Sequence, residues 1–184
     1  MKIKFILILS AITLINLSCN DKETPTITNQ SQPVDPNLEQ LKTEASRLRG
    51  GGSVKSIELK NGKAIITYVK DYTEYKQLQP QSKLTEDDLK EYWSTGNAIE
   101  KILVEGPVQI MKKLSFIDEV ELILPFQGKI YRSDVKKADL EKFIGKDFSV
   151  ITNSWTESFV DPYVYNKNGR QKFLNKFSIE KEGQ

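Results

Sequence analysis

Few side chains in this 184-residue chain are of types that perform chemistry by themselves. It contains no histidine and a single cysteine, Cys19. A chain without histidine cannot form a Ser-His-Asp triad, a Cys-His pair or a histidine-containing zinc or haem site. A single cysteine excludes intrachain disulfides and CxxC redox motifs. We therefore predict no catalytic residue, no metal site and no cofactor.

Two further patterns resemble chemical motifs, but neither makes a site. Residues 133–136 (SDVK) fit the SxxK element of penicillin-binding enzymes and related lactamases, but the companion KTG is absent. We interpret the segment as the end of a strand and the start of a helix. Acid catalysis needs two carboxylates that converge across a cleft. We instead interpret Asp87 and Asp88 as charges at a helix N-terminus, and Glu119 and Glu121 as the solvent side of a strand.

Aromatic side chains beside turns are better candidates for a binding surface. Tyr92 and Trp93 are adjacent, and Trp155 and Tyr163 belong to a stretch that alternates aromatics with turn-forming residues. Large amphipathic rings in such places can stack on sugars or hold a peptide. Rings also dominate the cores of small domains, so core packing is the alternative. We predict Tyr92, Trp93, Trp155 and Tyr163 as ligand-binding residues.

The first 18 residues have the composition of a secretory signal peptide. Lys2 and Lys4 precede a mostly apolar run of 13 residues, 5–17 (FILILSAITLINL). The run is shorter than the roughly 20 residues that a membrane-spanning helix needs. Without the signal peptide, the chain carries 25 basic and 25 acidic residues. We therefore expect no nucleic-acid binding, which requires a net basic surface.

Residues Leu17-Ser18-Cys19 resemble the lipobox of bacterial lipoproteins, in which a small residue precedes an invariant cysteine. The resemblance implies a diacylglyceryl thioether on Cys19, cleavage before it and usually acylation of the new amine. Asn16 stands where the family usually has an aliphatic residue. The resemblance implies attachment to a membrane of the bacterial cell envelope, at the outer membrane or cell surface if the source has two membranes. The alternative is ordinary secretion with a free thiol.

Composition divides the rest of the chain into a tether and one domain. Residues 19–35 begin with Cys19 and continue as NDKETPTITNQSQPVD, which has too few apolar residues to order itself. The 16 residues after Cys19 reach at most roughly 55 Å when fully extended. No second Pro/Gly-rich linker follows Gly52, so we predict one globular domain over residues 36–184.

Hydrophobic periodicity and turn residues predict the elements of this domain. Asp35 and Pro36 should begin the first helix, which Gly50-Gly51-Gly52 should end. Asn61-Gly62 is a strong hairpin signal. The predicted elements are a helix over 36–49, strands 54–60 and 63–70, a polar loop to 80, helices 85–93 and 97–114 with a break at 106–107, strands 119–124 and 129–133, a helix over 138–144, a strand over 148–152, a turn at 168–169 and a helix over 170–177.

Two hairpins, each followed by a helix, predict the fold class and the broad function. We expect an α+β fold in which a mostly antiparallel sheet, built from two ββα-like units, carries helices on one side. We expect a lipid-anchored envelope protein that acts as a binding or assembly module, with an envelope protein or glycan as partner. The alternatives are a hydrolase that uses Asp or Glu on envelope glycans, and a purely structural surface lipoprotein.

Overall fold

Helices cover one face of a five-stranded sheet in the computed structural model, which describes residues 35–183. The strands are β1 (Val54–Lys60), β2 (Lys63–Tyr68), β3 (Glu119–Phe126), β4 (Lys129–Lys136) and β5 (Ser178–Glu182). The helices are α1 (Pro36–Ser46), α2 (Tyr72–Leu78), α3 (Glu86–Ser94), α4 (Ala98–Lys113), α5 (Lys137–Ile144), α6 (Phe148–Asn153) and α7 (Lys167–Phe177), with a 3₁₀ turn at Gly51–Ser53 and a π-helix at Thr156–Tyr165. The predicted signal peptide, Cys19 and nearly all of the predicted tether lie outside the described residues.

The sheet follows chain order, β1-β2-β3-β4-β5, and only β2 and β3 are parallel. Asn61 and Gly62 turn β1 into β2 with φ of +49° and +80°, as a two-residue hairpin turn requires. The turn pairs Leu59 with Ala64, as its predicted length implies. Helices α2 to α4 separate β2 from β3, which allows the parallel pairing. The predicted α+β fold with a mostly antiparallel sheet is confirmed.

The core lies between the sheet and α4. Alternate residues of β2 and β3 face the helices, and Ile66, Val120 and Leu122 are fully buried there. A Cβ at Gly106 would lie 3.1 Å from the Leu122 side chain, so the glycine allows α4 to approach β3 closely. At Gly106-Pro107 the sequence predicts a kink or a division into two helices, and the division is wrong because α4 continues through Pro107. In the described part of the chain, no helix has both the length and the apolar character needed to cross a membrane.

Three local predictions were wrong. The predicted loop before residue 80 contains α2, because the Asp71 side chain accepts a hydrogen bond from the Glu74 backbone N–H and caps a helix. The predicted strand at 148–152 is α6, whose start is capped by the Glu141 side chain of α5, which accepts a hydrogen bond from the Phe148 backbone N–H. The predicted turn at 168–169 lies in the first turn of α7, where the Asn166 side chain accepts from the Gly169 N–H.

Candidate binding cleft

Trp93 is held in place by two aromatic rings and a glycine. The ring centroids of Trp93 and Tyr68 are 5.5 Å apart in an edge-to-face contact, and the Tyr92 ring meets the indole at 4.9 Å. Gly50 has a φ of +66°, and a Cβ there would come within 2.5 Å of the indole Cη2. Only glycine supplies both this backbone conformation and this space. The packing leaves Trp93 5% exposed, so it offers a partner an edge and no open stacking face.

Trp93 lines a cleft of about 660 Å³ at the end of the sheet where β3 turns into β4. Four segments that are distant in sequence form it: 69–72 after β2, 86–93 in α3, 125–130 around the β3–β4 turn, and Gly183 after β5. The apolar lining residues are Val69, Tyr72, Leu89, Trp93, Pro125, Phe126 and Ile130. A volume in this range and a mostly apolar lining are typical of small-ligand sites.

Charged side chains at the cleft are mostly engaged in pairs. Lys90 Nζ lies 2.9 Å from Glu86, and Lys129 Nζ lies 2.6 Å from Glu180. The hydrogen bonds to these carboxylates raise the pKa of both lysines, which therefore stay protonated. Asp71 caps α2. Within the described residues, the remaining lining cation, Lys70, has no carboxylate within 4.0 Å.

Tyr92 faces a different cavity from its neighbour in sequence. It lines a cavity of about 200 Å³, together with residues that include Tyr75, Leu84 and Asp88. Tyr92 is 42% exposed. Of the four predicted binding residues, the structure thus brings Tyr92 and Trp93 into contact, although they line different cavities.

Trp155 and Tyr163 belong to an aromatic cluster away from the cleft. Trp155 stacks on Phe159 with ring centroids 4.8 Å apart, and the Lys112 ammonium lies 4.3 Å from the indole centroid. Tyr163 packs 5.4 Å from Phe143, and burial raises the pKa of its hydroxyl. These contacts engage both side chains in packing between helices. Their role in ligand binding stays a prediction.

The π-helix that carries this cluster is stabilised by a buried arginine. Arg170 is 4% exposed, and its Nη1 donates to the Val164 carbonyl at 2.8 Å. Its Nε donates to Glu100 at 2.7 Å, which connects α7 to α4. A Cβ at Gly169 would overlap the Pro162 carbonyl, so glycine allows the start of α7 to approach the π-helix.

Two of the carboxylates singled out in the sequence, Glu119 and Glu121, belong to an ion-pair network on the sheet face opposite the helices. Lys63 Nζ lies 2.6 Å from Glu119, 2.9 Å from Glu121 and 3.2 Å from Asp134. Burial acts to lower the pKa of Lys63, but these three partners outweigh it and raise the pKa. Arg132 Nε adds a contact of 2.9 Å to Glu121. Because each of these carboxylates has a cationic partner, the network joins β2, β3 and β4.

We expect Glu119→Gln to lower the free energy of unfolding by about 1 kcal/mol at pH 7. Burial acts to raise the pKa of Glu119, but the hydrogen bond and charge of Lys63, with the hydrogen bond of Asp134 and the charge of Lys136, together outweigh it and lower the pKa below the ordinary value of 4.5. A lowered folded-state pKa stabilises above that ordinary value, and the contribution is lost as the pH falls through the folded pKa. Urea unfolding should therefore show a larger difference from wild type at pH 7 than at pH 3.

Asp134→Asn is the matched control for this network. Burial raises the pKa of Asp134 in spite of Lys63, so its ionised form gains no stability from folding at neutral pH. We expect the neutral asparagine to leave stability at pH 7 unchanged or slightly higher. An equal loss in both variants, independent of pH, would contradict the assignment.

The SxxK segment forms a strand end and a helix start, as interpreted. Ser133 and Val135 lie in β4 with their side chains under the helices, and Ser133 is fully buried. Lys136 is three residues further and points to the opposite face, 3.5 Å from Glu119. The hydroxyl and the ammonium group therefore cannot act together.

The chain matches no protein-family model, and we found neither a similar curated protein nor a similar solved structure. The function is therefore argued from the cleft itself. Of the lining residues, Trp93 can be predicted from the sequence as a binding residue, but others, such as Lys70, Tyr72, Phe126 and Ile130, cannot. The residues in the sequence that indicate their position are those of the Gln127-Gly128 turn and the Asp71 cap, which bring these segments to one end of the sheet.

Proposed function

We propose that this protein is a binding module that holds a small, mostly apolar ligand in the cleft lined by Trp93. The observation that carries the proposal is the 660 Å³ cleft with seven apolar lining side chains. The largest well-formed apolar cavity with a few polar groups is the default ligand site of a domain. Because Trp93 is 5% exposed, we favour an apolar ligand over a stacked sugar.

The test is binding of N-phenyl-1-naphthylamine, a neutral apolar fluorophore, with energy transfer from Trp93 as the readout. The chain has two tryptophans, so a Trp155→Phe background leaves Trp93 as the donor. In that background, we expect Phe126→Arg to weaken binding at least about tenfold, because Phe126 lies on the helix-facing side of β3 and lines the cleft, so the change places a guanidinium among its apolar side chains.

Ile179→Arg provides the matched control for this test. Ile179 lies on β5, on the sheet face opposite the helices, is 46% exposed and is not among the lining residues of the cleft. It should bind the fluorophore like wild type. Absence of any energy transfer in the unsubstituted cleft would overturn the proposal and favour a purely structural protein.

We further propose that a lipid on Cys19 attaches the protein to a membrane of the bacterial cell envelope. The support is the signal peptide and the lipobox-like segment, with the tether that follows them. A tether of this length would let the cleft act within a few tens of ångströms of the membrane. The cleft would then hold its ligand close to the lipid surface.

In a lipoprotein-processing bacterial host, Cys19→Ala should move the protein from the membrane fraction to unprocessed precursor or soluble material. Two or more acyl chains anchor stably, at about 0.8 kcal/mol per buried CH₂, so the shift should be nearly complete. Ser18→Ala, which keeps a small residue before the cysteine, should remain with the membranes. Wild-type protein with an unmodified Cys19 by mass spectrometry and no membrane association would contradict the anchor.

A further inference from the structure

We propose that the ligand of the Trp93 cleft is an anionic amphiphile, a hydrocarbon body that ends in one carboxylate or phosphate, and that Lys70 receives this group. The inference rests on the proposed binding function and specifies its ligand class. It follows from two features of the lining residues: the charges that have partners and the scarcity of neutral hydrogen-bonding side chains.

Among the cleft residues that the structure describes, the charge distribution leaves one cation available. Lys90 and Lys129 are paired with Glu86 and Glu180 at 2.9 and 2.6 Å, and Asp71 is used as a helix cap. Lys70 lies at the cleft, directly after the buried Val69, and is exposed.

The acid next to Lys70 is already engaged. Glu74 accepts the Lys70 backbone N–H through Oε2 at 3.0 Å, while its Oε1 lies 2.6 Å from Lys55 Nζ. The hydrogen bond from Lys55 lowers the pKa of Glu74, so this acid stays ionised and paired. The charge of Lys70 also lowers the pKa of Glu74, but no ion pair within 4.0 Å joins them in the described residues, so a ligand anion would pair with Lys70 without breaking an internal ion pair.

Hydrogen-bonding capacity argues against a peptide or a sugar as the occupant. Among the described lining residues there is no serine, threonine or asparagine, and Gln127 is the one side-chain amide. The Tyr72 hydroxyl already donates to the Leu84 carbonyl at 3.0 Å. A peptide or sugar would carry many donors and acceptors into this site, and each one left unpaired is costly. A hydrocarbon body has no donors or acceptors that would be left unpaired.

The test compares three twelve-carbon probes below their micelle concentrations at pH 8 and low salt, each displacing N-phenyl-1-naphthylamine. Dodecanoate is anionic, dodecanol neutral and dodecyltrimethylammonium cationic. We expect dodecanoate to bind about fivefold more tightly than dodecanol, as for a partly exposed ion pair, and the cation to bind most weakly. The preference should shrink in high salt because exposed charges are screened. Dodecyl phosphate, run in parallel, decides whether a phosphate serves as well as a carboxylate.

Lys70→Glu should reverse the order of the charged probes and leave dodecanol within about twofold of wild type. Lys83→Glu is the matched control, since Lys83 is exposed in the loop before α3 and is not among the lining residues. This substitution changes the net charge by the same amount as Lys70→Glu. It should keep the wild-type order.

Each remaining outcome is decisive. Equal binding of dodecanoate and dodecanol, unaffected by Lys70→Glu, would overturn the inference and leave the apolar binding function standing. Equal losses in Lys70→Glu and Lys83→Glu would assign the preference to net charge and overturn the role of Lys70. Failure of N-phenyl-1-naphthylamine and of all the probes to bind would overturn the proposed function itself.

Discussion

Gly50→Ala should lower the free energy of unfolding by about 3 kcal/mol, whereas Gly52→Ala, two residues away, should change it by less than about 0.5 kcal/mol. At position 50 the new methyl group would lie within 2.5 Å of the Trp93 indole, on a backbone with φ of +66°. The strain of the left-handed backbone conformation and the overpacking against the indole therefore both contribute to the loss of stability. At position 52, no atom of residues 35–183 lies within 4 Å of the added carbon.

Urea unfolding followed by circular dichroism measures both variants. Because the methyl group at position 50 displaces Trp93, we also expect a red shift of its emission, measured in the Trp155→Phe background. Equal stability of the two variants would show that the glycine run is an exposed hinge that does not pack on Trp93.

Arg170→Met should cost about 3 kcal/mol, because it removes a buried guanidinium whose partners stay behind. The Val164 carbonyl loses its 2.8 Å donor at the end of the π-helix, and Glu100 loses its 2.7 Å partner. The aromatic cluster around Phe159 should loosen with it, which near-ultraviolet circular dichroism reports.

Arg47→Met controls for the loss of an arginine as such. The Arg47 side chain is 63% exposed and pairs with Glu44 one turn away on α1, so we expect a change of less than about 0.5 kcal/mol. Arg170→Lys should restore only part of the stability, because an ammonium cannot reach both partners as a planar guanidinium does. A loss at position 170 no larger than at position 47 would contradict the buried role.

Several elements can be predicted from the sequence because local capping and turn residues determine them. Asp35 caps α1 ahead of Pro36, and Thr85 with Asp88 forms a capping box at α3. Asn61-Gly62 sets the register of the first hairpin. In each case the residues that determine the structure lie within a few positions of it, so no tertiary information was needed. The two hairpins then sufficed for the fold class.

Elements that depend on distant partners were misread or missed. The residues of α6 have strand-like periodicity, but the Glu141 side chain of α5 accepts the Phe148 backbone N–H and caps a helix there. The π-helix depends on Arg170 and on the close approach of Gly169, both of which follow it in the chain. Periodicity contains no information about such partners, and tertiary context overrides it.

From the sequence we predict export, anchoring, the fold class and Trp93 as a candidate binding residue, and the structure confirms the fold class. These predictions depend on composition, periodicity and residue type, which are local properties of the chain. The tertiary arrangement was needed to show that Trp93 lines a cleft, that Tyr92 lines a different cavity, and that Trp155 and Tyr163 lie elsewhere. The cleft joins segments up to 114 residues apart, from 69 to 183. It exists because β2 and β3 pair in parallel and bring those segments to one end of the sheet.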